Sequence, residues 1–336
     1  MDCYITLDYE LFLGEKTGTA EGCLIKPMEA LLKILKQYEI KANIMVDAAY
    51  LLRMQQLMGQ IPCVEEEYKS VTNHIRHLSS EGHAIQYHFH PQWLFSTFVN
   101  GCWMMDKEHY KLSDLEKDVM FRSVSDSIDL LNSISEKKAV AFRAGGFSID
   151  NFFELKDLFL SKGISIDTSV LRHAKAKSKY QTYNYTNTPL KTSYTITDNP
   201  CIEDKDGNFK EYPITTMPYC SIRYLQKKKK LHHDITRNGE SNKRWNDGKG
   251  VGYPGGKINA IASKVKKLFG KNVMYASFDG ELSCMLQEIY DYSKERYIGK
   301  DFVILSHPKI FTPASLKNLD EFIANNIGEI EFKLFQ

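Results

Sequence analysis

Asp8 and Glu10 stand two residues apart at the end of the apolar run Tyr4-Ile5-Thr6-Leu7. Alternate residues of a strand share a face, so the two carboxylates can converge on one site. His88 and His90 repeat that relation at the end of Ala84-Ile85-Gln86-Tyr87. Carboxylate with imidazole is the donor mixture taken by catalytic zinc or a similar divalent ion, and a spare carboxylate can accept a proton from water bound there. Arg143 closes the run Ala139-Val140-Ala141-Phe142, and His307 follows Phe302-Val303-Ile304-Leu305-Ser306. A cation at the end of a buried strand is costly unless it is used or paired. An acid pair can instead cap a turn, and histidines can simply hydrogen-bond a loop. The joint placement of all these groups at strand ends favours an active site.

The elements that must position them alternate. Strand-like runs cover Tyr4 to Asp8, Ala42 to Val46, Ala84 to His88, Ala139 to Phe142, Ile164 to Asp167, Val273 to Phe278 and Phe302 to Ser306. Helical periodicity lies between them, with Met28, Leu31, Leu32 and Leu35 behind Pro27, then Val64, Tyr68, Val71, Ile75 and Leu78. Further helices are expected near Leu115 to Leu131, at Leu155 to Phe159, at Met285 to Tyr292 and from Pro313. Repeated βα units predict an α/β fold with a parallel sheet. Asp8, His88, Arg143, Asp167 and His307 all fall at C-terminal strand ends, which a closed barrel gathers at one mouth. The expectation is a distorted (β/α) barrel of about seven parallel strands.

The 336 residues suffice for one large domain, with 43% hydrophobic and 26% charged residues. A net charge of +2 gives no support to nucleic-acid binding. Seven cysteines without a CxxC pair suit a reducing compartment. No leader-like segment or membrane-length apolar run stands in the sequence, so the expectation is a cytoplasmic chain. The stretch 172–256 breaks the βα rhythm and is expected to be a loop-rich insertion over the mouth of a single domain. Its Lys227 to Lys230 run reads as a solvated face. Lys257, Lys264, Lys266 and Lys267 flank Ile258, Ile261, Val265 and Leu268, a pattern that allows peripheral contact with anionic lipid.

Thr6-Leu7-Asp8-Tyr9-Glu10, His88-Phe89-His90-Pro91-Gln92-Trp93, Phe142-Arg143-Ala144-Gly145-Gly146, Ile166-Asp167-Thr168-Ser169 and Leu305-Ser306-His307-Pro308 together resemble the five motifs of the NodB-type polysaccharide deacetylases, carbohydrate esterase family 4. The resemblance spans most of the chain outside the insertion. It implies a divalent metal, with zinc expected, bound by one carboxylate and two histidines. By position Asp8 matches the catalytic base and Glu10 the metal ligand, although the two roles are exchangeable. The first acid pair carries one inserted residue. In the second motif His88 matches the first histidine, whereas Gln92 stands where the second belongs. His90 is the natural substitute ligand.

The resemblance further implies that Arg143 orients Asp8, that Asp167 tunes the catalytic histidine, and that His307 is the general acid. Trp93 is either a sugar-facing wall or plain core. The activity implied is removal of an N-acetyl or related acyl group from a sugar in surface-polysaccharide biosynthesis. The missing leader points to a nucleotide-linked or lipid-linked precursor. Two other readings are a metal-independent hydrolase of a non-sugar amide and an inactive barrel that only binds glycan.

Overall fold

Residues 1–250 and 272–336 are described by a computed structural model. The expected strands form as β1 (Asp2–Tyr9), β2 (Asn43–Asp47), β3 (Ala84–Phe89), β4 (Ala141–Ala144) and β5 (Ile166–Asp167). Three more follow as β6 (Tyr194–Ile196), β7 (Phe209–Glu211) and β8 (Asp301–Ser306). They lie in the order β6-β7-β5-β4-β3-β2-β1-β8, and Glu331–Phe332 adds a short parallel pairing to β1. Every neighbouring pair from β7 to β8 is parallel, so seven parallel strands stand in the sheet; β6 alone runs antiparallel, on β7. The strand expected at Val273 to Phe278 forms as Asn272–Tyr275 but pairs antiparallel with Thr216–Tyr219 outside that sheet, and β7 takes its place.

All five residues of β2 are buried, as a parallel strand covered on both faces requires. The covering helices bury the stripes that their periodicity marks. Lys26–Gln37 buries Met28, Leu31 and Leu35, and Pro62–Ser80 buries Val64, Val71, Ile75 and Leu78. Lys117–Ile134, Phe152–Ser161 and Leu286–Arg296 continue the layer. Thr312 starts the last helix, Pro313–Asn326, by accepting a hydrogen bond from the Ser315 backbone N–H at 3.1 Å.

The sheet curls, and irregular chain spans the gap beyond β8. The Thr215 amide donates to the Val303 carbonyl at 3.1 Å, and the Leu305 amide to that of Ala276 at 2.9 Å. The Ala276 amide in turn donates to the Thr215 carbonyl at 2.8 Å, and the Ile214 amide to that of Val170 at 2.9 Å. The result is a distorted (β/α) barrel.

The chain beyond Arg172 does more than elaborate the mouth, since it supplies β6 and β7 to the sheet. It also forms a hairpin, Lys175–Lys177 with Thr182–Asn184, and the helix Ser221–Asn238, on which Lys227 to Lys230 fall. Among the described residues no helix is long and apolar enough to cross a membrane. The lysine-flanked pattern at Lys257 to Leu268, and the end of the expected insertion at 251–256, lie outside the described residues.

Candidate active site

The parallel register delivers the strand-end groups to one mouth. Asp8 and Glu10, on and just past the end of β1, are both buried, as are His88 at the end of β3 and His90 one residue beyond it. Glu10 Oε2 lies 2.6 Å from His90 Nε2 and 3.2 Å from His88 Nε2. The donor atoms of these three residues all lie within 4.8 Å of one another. His88 Nδ1 lies 2.8 Å from the Arg143 carbonyl, to which it donates, so in the neutral ring Nε2 presents its lone pair to the cluster. One carboxylate and two imidazoles with converging lone pairs fit a divalent ion.

Burial alone would raise the Glu10 carboxyl. Lys309, His90 and His88 overcome that and hold it well below the ordinary carboxylate range. Lys309 is the unforeseen member. Its ammonium is buried, donating to Glu10 Oε1 at 2.8 Å and to the Leu11 carbonyl at 2.9 Å. One Glu10 oxygen is thereby committed, and the other faces the histidines.

Asp8 is held differently. Arg143, fully buried, donates through Nη1 to Asp8 Oδ1 at 2.6 Å, through Nη2 to Thr6 Oγ1 at 2.8 Å, and through Nε to the Thr168 carbonyl at 3.0 Å. Burial opposes the charge on Asp8, but Arg143, His88 and His307 keep its carboxyl below the ordinary value. Asp8 Oδ2 lies 3.7 Å from His307 Nε2. A second cluster, Asp8, Glu10 and His307, also has its donor atoms within 4.8 Å of one another.

The partner of His307 corrects the sequence reading. Asp279, not Asp167, meets it: Asp279 Oδ2 lies 2.6 Å from His307 Nδ1, and Oδ1 accepts from the His307 backbone N–H at 2.7 Å. Burial would lower the His307 imidazole, yet Asp279, Asp8 and Glu10 together raise it and favour the imidazolium. Asp279 ends the stretch after the strand Asn272–Tyr275, which hydrogen-bonds β8 through Ala276. His307, Asp279 and Lys309 open onto a cavity of about 410 Å³ that Tyr275 and Tyr224 also line.

Asp167 is fully buried elsewhere, accepting from Ser169 Oγ at 2.7 Å, with Glu211 of β7 beside it. Burial, and for Glu211 also the neighbouring Asp167, raises both carboxyls, Glu211 most strongly. Two buried acids in contact hold one shared proton more cheaply than two charges. A carboxyl whose folded value is raised contributes stability that is complete below its unfolded value and is lost as pH climbs toward the folded one. Glu211→Gln replaces the shared proton with an amide donor. Its denaturant midpoint is therefore expected to match wild type near pH 4 and to exceed it increasingly toward pH 8. The expected gain is about 1–3 kcal/mol, the scale of an uncompensated buried polar group. An unchanged difference across that range would refute the shared proton.

Trp93 is core, not a wall. It follows the turn at Pro91, is fully buried, and packs on Tyr50 and Trp103 with ring centroids at 4.6 and 5.2 Å. Gln92 is buried too, and among the described residues neither of its amide atoms has a hydrogen-bond partner. Asp47, at the end of β2, accepts from the His90 backbone N–H at 3.2 Å and fixes the chain there.

Gly145 presses against the same chain. A Cβ placed on it would stand 2.5 Å from the Phe89 carbonyl oxygen and 2.7 Å from His90 Nδ1, closer than real contacts allow. Gly145→Ala is therefore expected to displace His90 and weaken divalent-ion affinity roughly 10- to 100-fold, as lost support for a ligand does. Competition against a chromophoric chelator measures it, and unchanged affinity would remove His90 from the ligand set.

No family model matches the chain, and no curated protein matches it in sequence. Solved structures do match in fold. A probable polysaccharide deacetylase from Pseudomonas aeruginosa PAO1 superposes with a TM-score of 0.50 at 11% identity, over 99% of this chain and 87% of that one. The Puue allantoinase gives a TM-score of 0.49 at 13% identity, covering 99% and 86%. A polysaccharide deacetylase from Mycobacterium smegmatis gives 0.46 at 14%, covering 91% and 73%. At these identities the likeness is one of fold alone, a distorted (β/α) barrel.

Proposed function

We propose that this chain is a metal-assisted deacylase that removes an N-acetyl or related acyl group from a sugar. The observation that supports it best is the pairing of two opposed proton-transfer groups beside one donor cluster: Asp8 on Arg143, and His307 on Asp279. Glu10, His88 and His90 would hold the ion. A divalent ion bound there supplies Lewis acidity, polarising the acyl oxygen and bringing water's pKa toward neutrality.

The residues supply the rest. Arg143 occupies Asp8 Oδ1, so Oδ2 is the oxygen that accepts the proton of the attacking water. The water oxygen bonds to the acyl carbon as the carbon–nitrogen bond breaks. His307, kept as imidazolium by Asp279, donates its Nε2 proton to the departing amine. Asp279 fixes the orientation of His307 as well as its charge, because it holds both the ring and the backbone.

The deacetylases among the fold neighbours act on polysaccharide, which is why a sugar is the substrate proposed. Free thiols at all seven cysteines suit a reducing compartment, hence a nucleotide-linked or lipid-linked precursor of surface polysaccharide in the cytoplasm. Peripheral contact with anionic membrane belongs to the same reading. A second reading has one observation in its favour: Lys309 already neutralises Glu10, as a metal-free amide hydrolase would need. Acetate release from acetylated sugars, assayed with and without chelator, separates the two.

A further inference from the structure

A second cavity lies away from the catalytic carboxylates, in chain that the mechanism does not use. It measures about 960 Å³, and its lining combines Phe153 and Ile202 with Tyr183, Asn184, Lys175 and Lys177. Phe153 is 62% exposed and Ile202 61%, so both offer apolar surface to the cavity.

A single turn joins this cavity to the metal-ligand cluster. Gly145 abuts His90, and a Cβ on Gly146 would meet Gln181 of the hairpin at 3.3 Å. Ser148 Oγ accepts from the Thr182 amide at 3.0 Å, and the Tyr185 hydroxyl donates to the Phe147 carbonyl at 2.6 Å. Tyr183 stacks on Tyr185 with centroids 5.1 Å apart. The hairpin Lys175–Lys177/Thr182–Asn184 is therefore fastened to the turn whose other side supports His90, and Ile149 and Asp150, next along that turn's chain, line the cavity.

The charges are asymmetric. Asp198 is paired with Lys156, and Asp150 accepts from Ser113 at 2.6 Å. Lys179, at the hairpin turn, is paired with Glu108 at 2.8 Å. Lys175 and Lys177, two apart on one strand face, make no ion pair among the described residues and line the cavity. Aromatic faces, side-chain amides and two unpaired cations are what an acidic sugar chain requires: ring faces to stack on, hydroxyls to bond and a carboxylate to neutralise.

Resting on the deacylase reading, and choosing its lipid-linked over its nucleotide-linked precursor, we propose that this cleft seats the flanking units of an acidic oligosaccharide whose acylated unit occupies the catalytic cavity, so that the substrate is a chain rather than a single activated sugar. The test is calorimetric binding to the Asp8→Asn protein, chosen so that no ligand is consumed. The probes are hyaluronan di-, tetra- and hexasaccharides, the neutral N-acetylglucosamine hexamer, and UDP-N-acetylglucosamine. The hyaluronan hexasaccharide is expected to bind at least about tenfold more tightly than the disaccharide, a difference one aromatic contact and one ion pair can supply. Phe153→Ala, and Lys175→Glu with Lys177→Glu, should each erase that gain and leave the disaccharide Kd unchanged. All three positions are accessible to solvent, so the substitutions spare the core.

Equal affinity at every length, insensitivity to these variants, a neutral hexamer bound as tightly as the acidic one, or UDP-N-acetylglucosamine bound most tightly of all would each overturn the proposal. Length-dependent binding by a protein that deacylates no glycan would retain the cleft and discard the deacylase reading. Glycan turnover with no dependence on length would do the reverse.

Discussion

Asp8→Asn is expected to lower turnover of an acetylated glycan roughly 10²- to 10⁴-fold while leaving its binding within a fewfold of wild type. Asparagine keeps the shape of the side chain and can still meet Arg143, but it cannot accept the water proton. A thousandfold loss corresponds to about 4 kcal/mol of barrier. His307→Ala should fall in the same range, and Asp279→Asn should follow it, because the imidazolium then loses the carboxylate that holds its ring 2.6 Å away. Asp167→Asn should leave the rate nearly unaltered, since Asp167 faces Ser169 and Glu211 instead. If Asp167→Asn matched Asp279→Asn in rate loss, the assignment of the His307 partner would be wrong.

The second large effect is on the ion. Native protein purified without chelator is expected to carry one divalent ion per chain, and His88→Ala is expected to carry none while remaining folded. His88 contributes one of the three converging donors, and its removal leaves Glu10 and His90 with Lys309 as a competing cation. Elemental analysis beside a thermal melt reads both quantities. Full occupancy in His88→Ala, or none in the native protein, would discard the ligand set.

Which parts of this site the sequence discloses follows from chemistry and topology. Asp8, Glu10, His88, Arg143 and His307 are legible because polar groups at the ends of apolar strands have few inexpensive structural uses. The i, i+2 spacing also settles which of them share a face. Parallel βα units then imply one common mouth, and six of the seven parallel strands were legible in the same alternation, the strand expected at Val273 to Phe278 pairing instead with Thr216–Tyr219. Asp279 was less visible, although the strand predicted at Val273 to Phe278 ends just before it. Choosing it over Asp167 requires knowing which segment lies beside β8. In the sheet, β4, β3, β2 and β1 separate β5 from β8, whereas the chain at Ala276 bonds β8 directly.

Lys309 stands two residues past His307, where no periodicity or motif marks a buried charge. Its burial is a tertiary fact, set by where the β1 loop brings Glu10 and Leu11. Trp93 was ambiguous for a related reason. A residue just beyond a strand end turns inward or outward according to what packs above it, here Tyr50 and Trp103. The strands β6 and β7 escaped notice because three-residue strands carry too little periodicity to stand out in a polar stretch.

The measurement closest to the central claim is acetate release from an N-acetylated oligosaccharide by one preparation assayed native, after exhaustive chelation, and after a divalent ion is restored. The account predicts release, its loss on chelation, and its return with the ion. Release undiminished by chelation would contradict a metal-assisted deacylase built on Glu10, His88 and His90.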